Sequence, residues 1–298
     1  MILEIKELNK HYGDKHVLKD VSFSIEAGKP LGLLGRNGHG KSTTMKIIMN
    51  IISSDSGEVL LNGQPIDKKK YKLGYLPEER GLYQKINILD QIIYFGKLRG
   101  LSSSKAKKSA IELIEKLEMQ EYLKQKANAL SKGNQQKIQL AIAMINDPDI
   151  IILDEPYSGL DPVNAKSLQN IIEESSNKDK LILFSSHQLN TVEEFCEDIC
   201  IINRGEVLLS GNLKEIKNNY PVEKMLVVPV QGNETALTNL LNEEKIRYEQ
   251  TEKGIVLDKT SNQNVLKNII RNMEIESFSY IRPTLLEIFL KQIGEENE

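Results

Sequence analysis

Hydrophobic positions in the first two hundred residues fall into two patterns. Leu31–Leu34, Ile150–Leu153 and Leu181–Phe184 are short apolar runs, each followed by helical spacing that begins near Lys41, Pro162 and Leu189. Apolar strands alternating with helices predict a parallel sheet covered on both faces. Nearer the N-terminus, Val21, Phe23 and Ile25 alternate with polar residues, as in an antiparallel strand with one wet face. Between Asn87 and Asn146 the period is almost purely helical, and Ala110, Ile111, Leu113, Ile114 and Leu117 share one stripe. That stretch reads as a helical insertion into the α/β body.

After Tyr220–Pro221 the order changes. Strand-like segments near 225–230, 246–250, 254–258 and 275–281 are interleaved with helical patterns over 233–243 and 262–273. Val265, Leu266, Ile269, Ile270 and Met273 form the face of the second helix, and Leu285, Leu286, Phe289, Leu290 and Ile293 that of a last one. The order β-α-β-β-α-β predicts a small ferredoxin-like domain. The expected division is therefore 1–220, with the helical insertion at about 87–146, and an accessory α+β domain at 221–298.

Composition narrows the setting. The 298 residues suffice for two domains. A net charge of −3 gives no global attraction for nucleic acid. The longest apolar runs are far short of the roughly 20 residues of a membrane span, and Glu4, Lys6 and Glu7 interrupt the first segment, so no signal sequence is expected. The chain should be cytosolic unless a partner holds it at a membrane. Cys196 and Cys200 are the two cysteines. Their i,i+4 spacing predicts one shared helix face and buried, reduced thiols, with no zinc site.

The first chemistry lies at 33–45, LLGRNGHGKSTTM. Gly35, Arg36, Asn37, Gly38, His39, Gly40, Lys41, Ser42 and Thr43 lie between a strand and a helix, the context that G-x-x-x-x-G-K-[ST] requires. Glycines let successive N–H groups converge on one anion, and the helix N-terminus adds its partial charge. Lys41 suits the β- and γ-phosphates of a nucleoside triphosphate and Ser42 its Mg2+. DIIILDEP at 149–156 places two acids at a strand tip. Asp154 suits Mg2+, and Glu155 an attacking water as general base.

Further motifs carry a specific resemblance. ALSKGNQQK at 129–137 resembles the signature of ABC-type ATPases, SGLD at 158–161 their D-loop, His187 in LFSSHQL their switch histidine, and Tyr12 in NKHYGDKHVLKDVSF their adenine-stacking aromatic. These elements stand in the family's order over about residues 1–211. The resemblance implies a P-loop NTPase (RecA-like) α/β core with an antiparallel β subdomain. It also implies ATP and Mg2+ as cofactors, and a head-to-tail homodimer or heterodimer in which the partner's signature closes over the γ-phosphate. Ser131, Gly133 and Asn134 would supply those donors, and His187 would contact the γ-phosphate. A separate transmembrane permease would hold the subunit at the cytoplasmic face of the membrane. YLPEERGLY at 75–83 and the extension through PTLLEIFLKQ resemble multidrug- and sodium-efflux subunits of bacteria, which favours export.

The chain departs from the common pattern at three points. Lys132 adds a charge inside the signature. Glu78 stands where many relatives carry glutamine, and as a carboxylate it can serve Mg2+. His39 replaces a small residue and is expected to be exposed, without a catalytic role; His11 and His16 are expected at the surface. The segment from Glu79 to about Phe95, with Leu82, Tyr83, Ile86, Ile88, Leu89 and Tyr94 beside Arg80 and Lys85, is the expected permease contact, about half of its apolar side chains serving the core. The alternative is a soluble ABC-type ATPase acting on nucleic acid or ribosomes. Against it stand a single glycine loop and one basic cluster, Lys97, Arg99, Lys105, Lys107 and Lys108, which reads as a solvated helix face. A P-loop kinase would leave the signature, D-loop and switch histidine unexplained.

Overall fold

The apolar runs become strands buried along their whole length: β3 (Leu31–Leu34), β7 (Ile150–Leu153) and β8 (Leu181–Ser186). In the computed structural model they join β6 (Leu73–Leu76), β9 (Asp198–Asn203) and β10 (Glu206–Asn212) in a sheet of order β10-β9-β3-β8-β7-β6. All neighbours are parallel except β9 and β10. Burial on both faces explains why no polar alternation marks these strands. The structure describes every residue except 80, 188, 190, 191, 194, 195, 259–268, 270–272 and 296–298, and the backbone alone at 162, 163 and 293–295.

A second sheet is antiparallel, of order β2-β1-β4-β5, built from β1 (Ile2–Tyr12), β2 (Lys15–Glu26), β4 (Ser56–Leu61) and β5 (Gln64–Pro65). Val21, Phe23 and Ile25 of β2 point into the same core as β3 and β7, as their alternation predicts. Helix α1 (Lys41–Ile48) follows β3 directly. The insertion holds α2 (Ile88–Leu98), α3 (Ser103–Lys116) and α4 (Lys132–Met144). On α3 and just beyond it, Ala106, Ala110, Ile114 and Leu117 are fully buried, while Ile111 and Leu113 are half-buried. Helix α5 (Pro162–Ser176) is capped by Asp161, whose side chain accepts from the Asn164 N–H.

The chain divides into Met1–Leu213 and Lys214–Glu298. The division falls seven residues before the one expected, because all but the first residue of helix α6 (Leu213–Asn219) groups with the C-terminal unit. That unit also contains β11 (Lys224–Pro229), α7 (Glu234–Glu243), β12 (Tyr248–Thr251), β13 (Gly254–Asp258), β14 (Ile275–Ile281) and α8 (Leu285–Glu295). Its sheet order is β12-β13-β11-β14 with every neighbour antiparallel, the ladder of a ferredoxin-like domain. Met225, Val227, Ile255 and Leu257 pack on Leu237, Leu241 and Ile269. The expected helix-face residues Val265, Leu266 and Ile270, the Ile293 side chain, and Arg80 of the expected permease contact lie outside the described residues.

Two expectations need correction. Cys196 and Cys200 do not share a helix face: the chain is extended from Asp198, so Cys200 sits inside β9 with Cys196 two residues before that strand. The run Ile199–Ile202 buries every side chain between β3 and β10, which a helix at this position would not achieve. Arg99 does not join the basic cluster. Its guanidinium donates to the Ile142 and Ala143 carbonyls at the end of α4, where burial lowers its pKa, because a helix C-terminus is a set of orphan acceptors.

Both thiols are free and buried, and burial pushes Cys200 up to about 12 and raises Cys196 as well. Neither should react with Ellman's reagent at neutral pH in the folded chain, and both should react in denaturant. A titratable thiol in native conditions would contradict this packing.

Candidate nucleotide-binding site

The β3–α1 loop is shaped by glycines that cannot be replaced. Gly35 has φ +149°, and a Cβ there would lie 2.2 Å from the Ile202 carbonyl of β9. Gly40 caps α1 at φ +110°, where a Cβ would lie 2.5 Å from Leu18. The loop is thus pressed between β9 and β2, with the α1 N-terminus beyond it. Lys41, 5% exposed, donates from Nζ to the Gly35 carbonyl at 2.8 Å.

A cleft of about 340 Å³ opens on this loop, lined by Tyr12, Asn37, Gly38, Gly40, Lys41, Ser42, Thr43, Glu78 and Glu155, and by Lys15 and Val17 from β2. Tyr12 stands 50% exposed at its side. Arg36 is exposed and outside this lining. His39 is half-buried rather than exposed, a correction to the expectation. Its ring also lies outside the lining, with Nδ1 buried and unpartnered. Burial, then the charges of Arg36, Lys41 and Arg204, lower its pKa, so it is neutral at pH 7. His11 and His16 sit together on the β1–β2 hairpin, rings stacked at 3.9 Å, with His11 bonded to Asp55.

The two acids end β7 opposite the loop. Asp154 is 1% exposed and accepts from Ser185 Oγ at 2.6 Å. Glu155, 6% exposed, has φ +49°, a left-handed conformation that costs a side chain on the order of 1 kcal/mol or more. Its N–H donates to the same Ser185 oxygen at 2.8 Å. One carboxylate oxygen meets His187 Nδ1 at 2.7 Å, and the other lies 3.6 Å from Lys41 Nζ. The strained backbone is therefore locked by a hydroxyl on the neighbouring strand. The aligned carboxylate faces the cleft between a cation and an imidazole. Sequence reading overlooked Ser185; the one signal was a hydroxyl pair ending a buried strand just before His187.

Asp154 makes no ion pair among the described residues, so a buried charge stands beside the cleft with one hydroxyl donor. Together with the Ser42 hydroxyl and Glu78, this oxygen set fits a hard divalent cation such as Mg2+. The charges of Asp154 and Glu78, after burial itself, raise the pKa of Tyr75, whose hydroxyl is buried and unpartnered.

The signature residues stand elsewhere. Ser131 caps α4 and accepts from the Asn134 N–H at 3.2 Å. Gly133 is buried, with room for no more than ordinary contact against Gly159 and Leu160 of the SGLD turn. Ser131, Gly133 and Asn134 are all absent from the lining of the cleft. The expected phosphate donors thus stand on different elements, the loop that lines the cleft and the N-terminus of α4 with its exposed cap Ser131.

Residues 18–158 match the family described as ABC transporter, and 211–293 match the C-terminal domain of DrrA1-3-like ATP-binding proteins. Over 298 residues, 98% of this chain and 99% of the relative, the sequence is 35% identical to the ABC transporter ATP-binding protein YhaQ of Bacillus subtilis, itself uncharacterized. The chain belongs to the ABC transporter ATP-binding proteins. It is an ATP-binding subunit of a transporter and an ATPase, with a DrrA-like C-terminal domain. The linearmycin resistance ATP-binding protein LnrL of Bacillus subtilis is 28% identical, with 98% of each chain covered. A dimeric bacterial ABC transporter cassette superposes with a TM-score of 0.65 at 25% identity, covering 71% of this chain and 98% of the other. The nucleic-acid alternative finds no support among these relatives.

In this ABC subunit Lys41 is the buried cation nearest the loop. Lys41→Ala should weaken ATP binding by about 1.5–3 kcal/mol, the usual worth of a charged hydrogen bond. Fluorescent-nucleotide titration measures this, and unchanged affinity would exclude the loop as the phosphate cradle.

Proposed function

We propose that two such subunits close head to tail over two ATP–Mg2+ and drive a separate permease in export. The observation that carries the reading is the separation just described. Glu155 is aligned in the cleft by Ser185, His187 and Lys41, while Ser131, Gly133 and Asn134 present donors outside it. A second subunit would bring its Ser131 and its Gly133 N–H, at a helix N-terminus, to the γ-phosphate. Within one chain the loop N–H groups and Lys41 bind phosphate, Thr43 and Asn37 line the cleft beside them, and Tyr12 offers its face to adenine. Ser42, Asp154 and Glu78 would hold Mg2+, which supplies charge neutralisation at the β/γ-phosphates. Glu155 accepts the proton of the attacking water, and His187 holds the Glu155 carboxylate in place and faces the γ-phosphate.

No helix among the described residues is long and apolar enough to cross a membrane, which suits a subunit held at the cytoplasmic face through its permease. The segment before and within α2 supports that contact. Leu82 and Ile88 are buried, whereas Tyr83, Ile86 and Tyr94 are 42–49% exposed and Tyr83 stacks on Phe95 at 6.0 Å. Large apolar side chains left exposed together mark a docking surface. Export is supported by the full-length likeness to a resistance ATP-binding protein.

Two variants test the reading. Glu155→Gln keeps shape but cannot take a proton. It should bind ATP–Mg2+, lose about 10²–10⁴ in hydrolysis rate, and accumulate as an ATP-dependent dimer by light scattering. Adding Ser131→Arg should abolish that dimer. Hydrolysis near the wild-type rate in the first variant would remove the general base, and an ATP-dependent dimer surviving in the second would remove the signature contact. Tyr12→Ala should weaken ATP binding by about 1–3 kcal/mol if adenine stacks there; a nucleotide titration with no measurable change would place adenine elsewhere.

A further inference from the structure

The second unit ends its sheet on two edges of different character. At β12 the edge is four residues long and is set among charges, Lys245, Arg247, Glu249, Glu252 and Lys253. Short, charged edges resist pairing with other strands. At the other edge β14 is seven residues, Ile275–Ile281, and among the described strands it pairs with β11 alone. It carries no lysine and no proline. Residues 276–280 are all exposed, among them Phe278 at 37% and Tyr280 at 63%. A long edge with aromatic side chains and no gatekeeping charge at its centre is a template for another strand.

The sequence of this edge says which strand fits it. Antiparallel pairing of β14 with a second β14 about a two-fold axis at Ser279 sets Phe278 opposite Tyr280, twice. It also sets Glu276 opposite Arg282, twice. Neither Glu276 nor Arg282, both exposed, makes an ion pair among the described residues. Directly opposed aromatic pairs and opposite charges each stabilise an antiparallel ladder. An axis at Phe278 would keep two charge pairs, Glu274 with Arg282, but would leave one aromatic pair, Phe278 with itself, and set Glu276 opposite Tyr280; an axis at Tyr280 would set Arg282 opposite Phe278 and lose both charge pairs. Only the Ser279 register combines two aromatic pairs with two charge pairs, the self-complementarity that an isologous contact requires.

We propose that the C-terminal unit is a dimerisation module, in which β14 of one copy pairs with β14 of a second copy of this chain about Ser279. The contact uses no residue of the ATP cleft and needs no nucleotide. It goes beyond the ATP-bound sandwich, and its failure would leave that reading untouched.

The full chain without ATP should sediment as a concentration-dependent dimer. Glu276→Arg or Arg282→Glu creates two like-charge pairs by symmetry, and each should raise the dissociation constant about tenfold. The double variant Glu276→Arg/Arg282→Glu should restore it, which a mere folding defect could not do. Ser279→Cys should form an intermolecular disulfide under mild oxidation, since facing residues of an antiparallel pair have Cα atoms about 4.5–5.5 Å apart. Phe278→Cys and Tyr280→Cys should cross-link less. A monomer without ATP, a dimer indifferent to the charge swaps, or cross-linking centred on 278 or 280 would each overturn the proposal.

Discussion

Two adjacent carboxylates at the buried end of β7 impose the main constraint on the ATPase unit. Asp154 and Glu155 are almost wholly out of water, and a buried charge is tolerated only where donors or cations meet it. The sheet order meets this need. β8 lies beside β7, so Ser185 can hold Asp154 and the Glu155 N–H with one oxygen. β3 lies beside β8, which brings the Gly35–Lys41 loop and its cation to the other side of Glu155. The glycine loop, the left-handed turn at Glu155 and the position of His187 are all bound to that satisfaction.

Helix α4 links the second donor set to this core. Its N-terminus carries Ser131, and its C-terminus is held by the Arg99 guanidinium. Midway, Lys137 donates to the Leu117 carbonyl just beyond α3, and Gln139 donates to the Glu79 carbonyl, next to Glu78 in the cleft. A Cβ on Gly74 of β6 would lie 2.6 Å from the Ala143 carbonyl, so the helix lies directly against the sheet. One rigid element thus joins the signature, the segment after β6 and the insertion with its exposed aromatics.

The C-terminal unit has a core of its own, in which, among the described residues, Met225, Val227, Ile255 and Leu257 of the sheet pack on Leu237, Leu241 and Ile269. An edge strand left exposed on such a unit is a liability unless it is used.

Much of this was legible in the sequence, because local chemistry repeats with local geometry. Continuous apolar runs marked the doubly covered strands, a stripe from Ala110 to Leu117 marked α3, and the glycine loop announced its own strand-to-helix setting. Other features depended on long-range partners. The Cys196/Cys200 spacing has a helical period, yet the burial available between β3 and β10 made Cys200 part of a strand. Arg99 looked like one of five surface cations, and only the orphan carbonyls of α4, some forty residues away in sequence, drew it inward. His39 lost its exposure through its place in a loop pressed between β9 and β2. Ser185 carries no motif of its own; it matters because β8 stands next to β7. Period, composition and short motifs determine which elements form and which chemistry they carry. Satisfying buried polar groups is a property of neighbours in space, and the tertiary structure alone decides it.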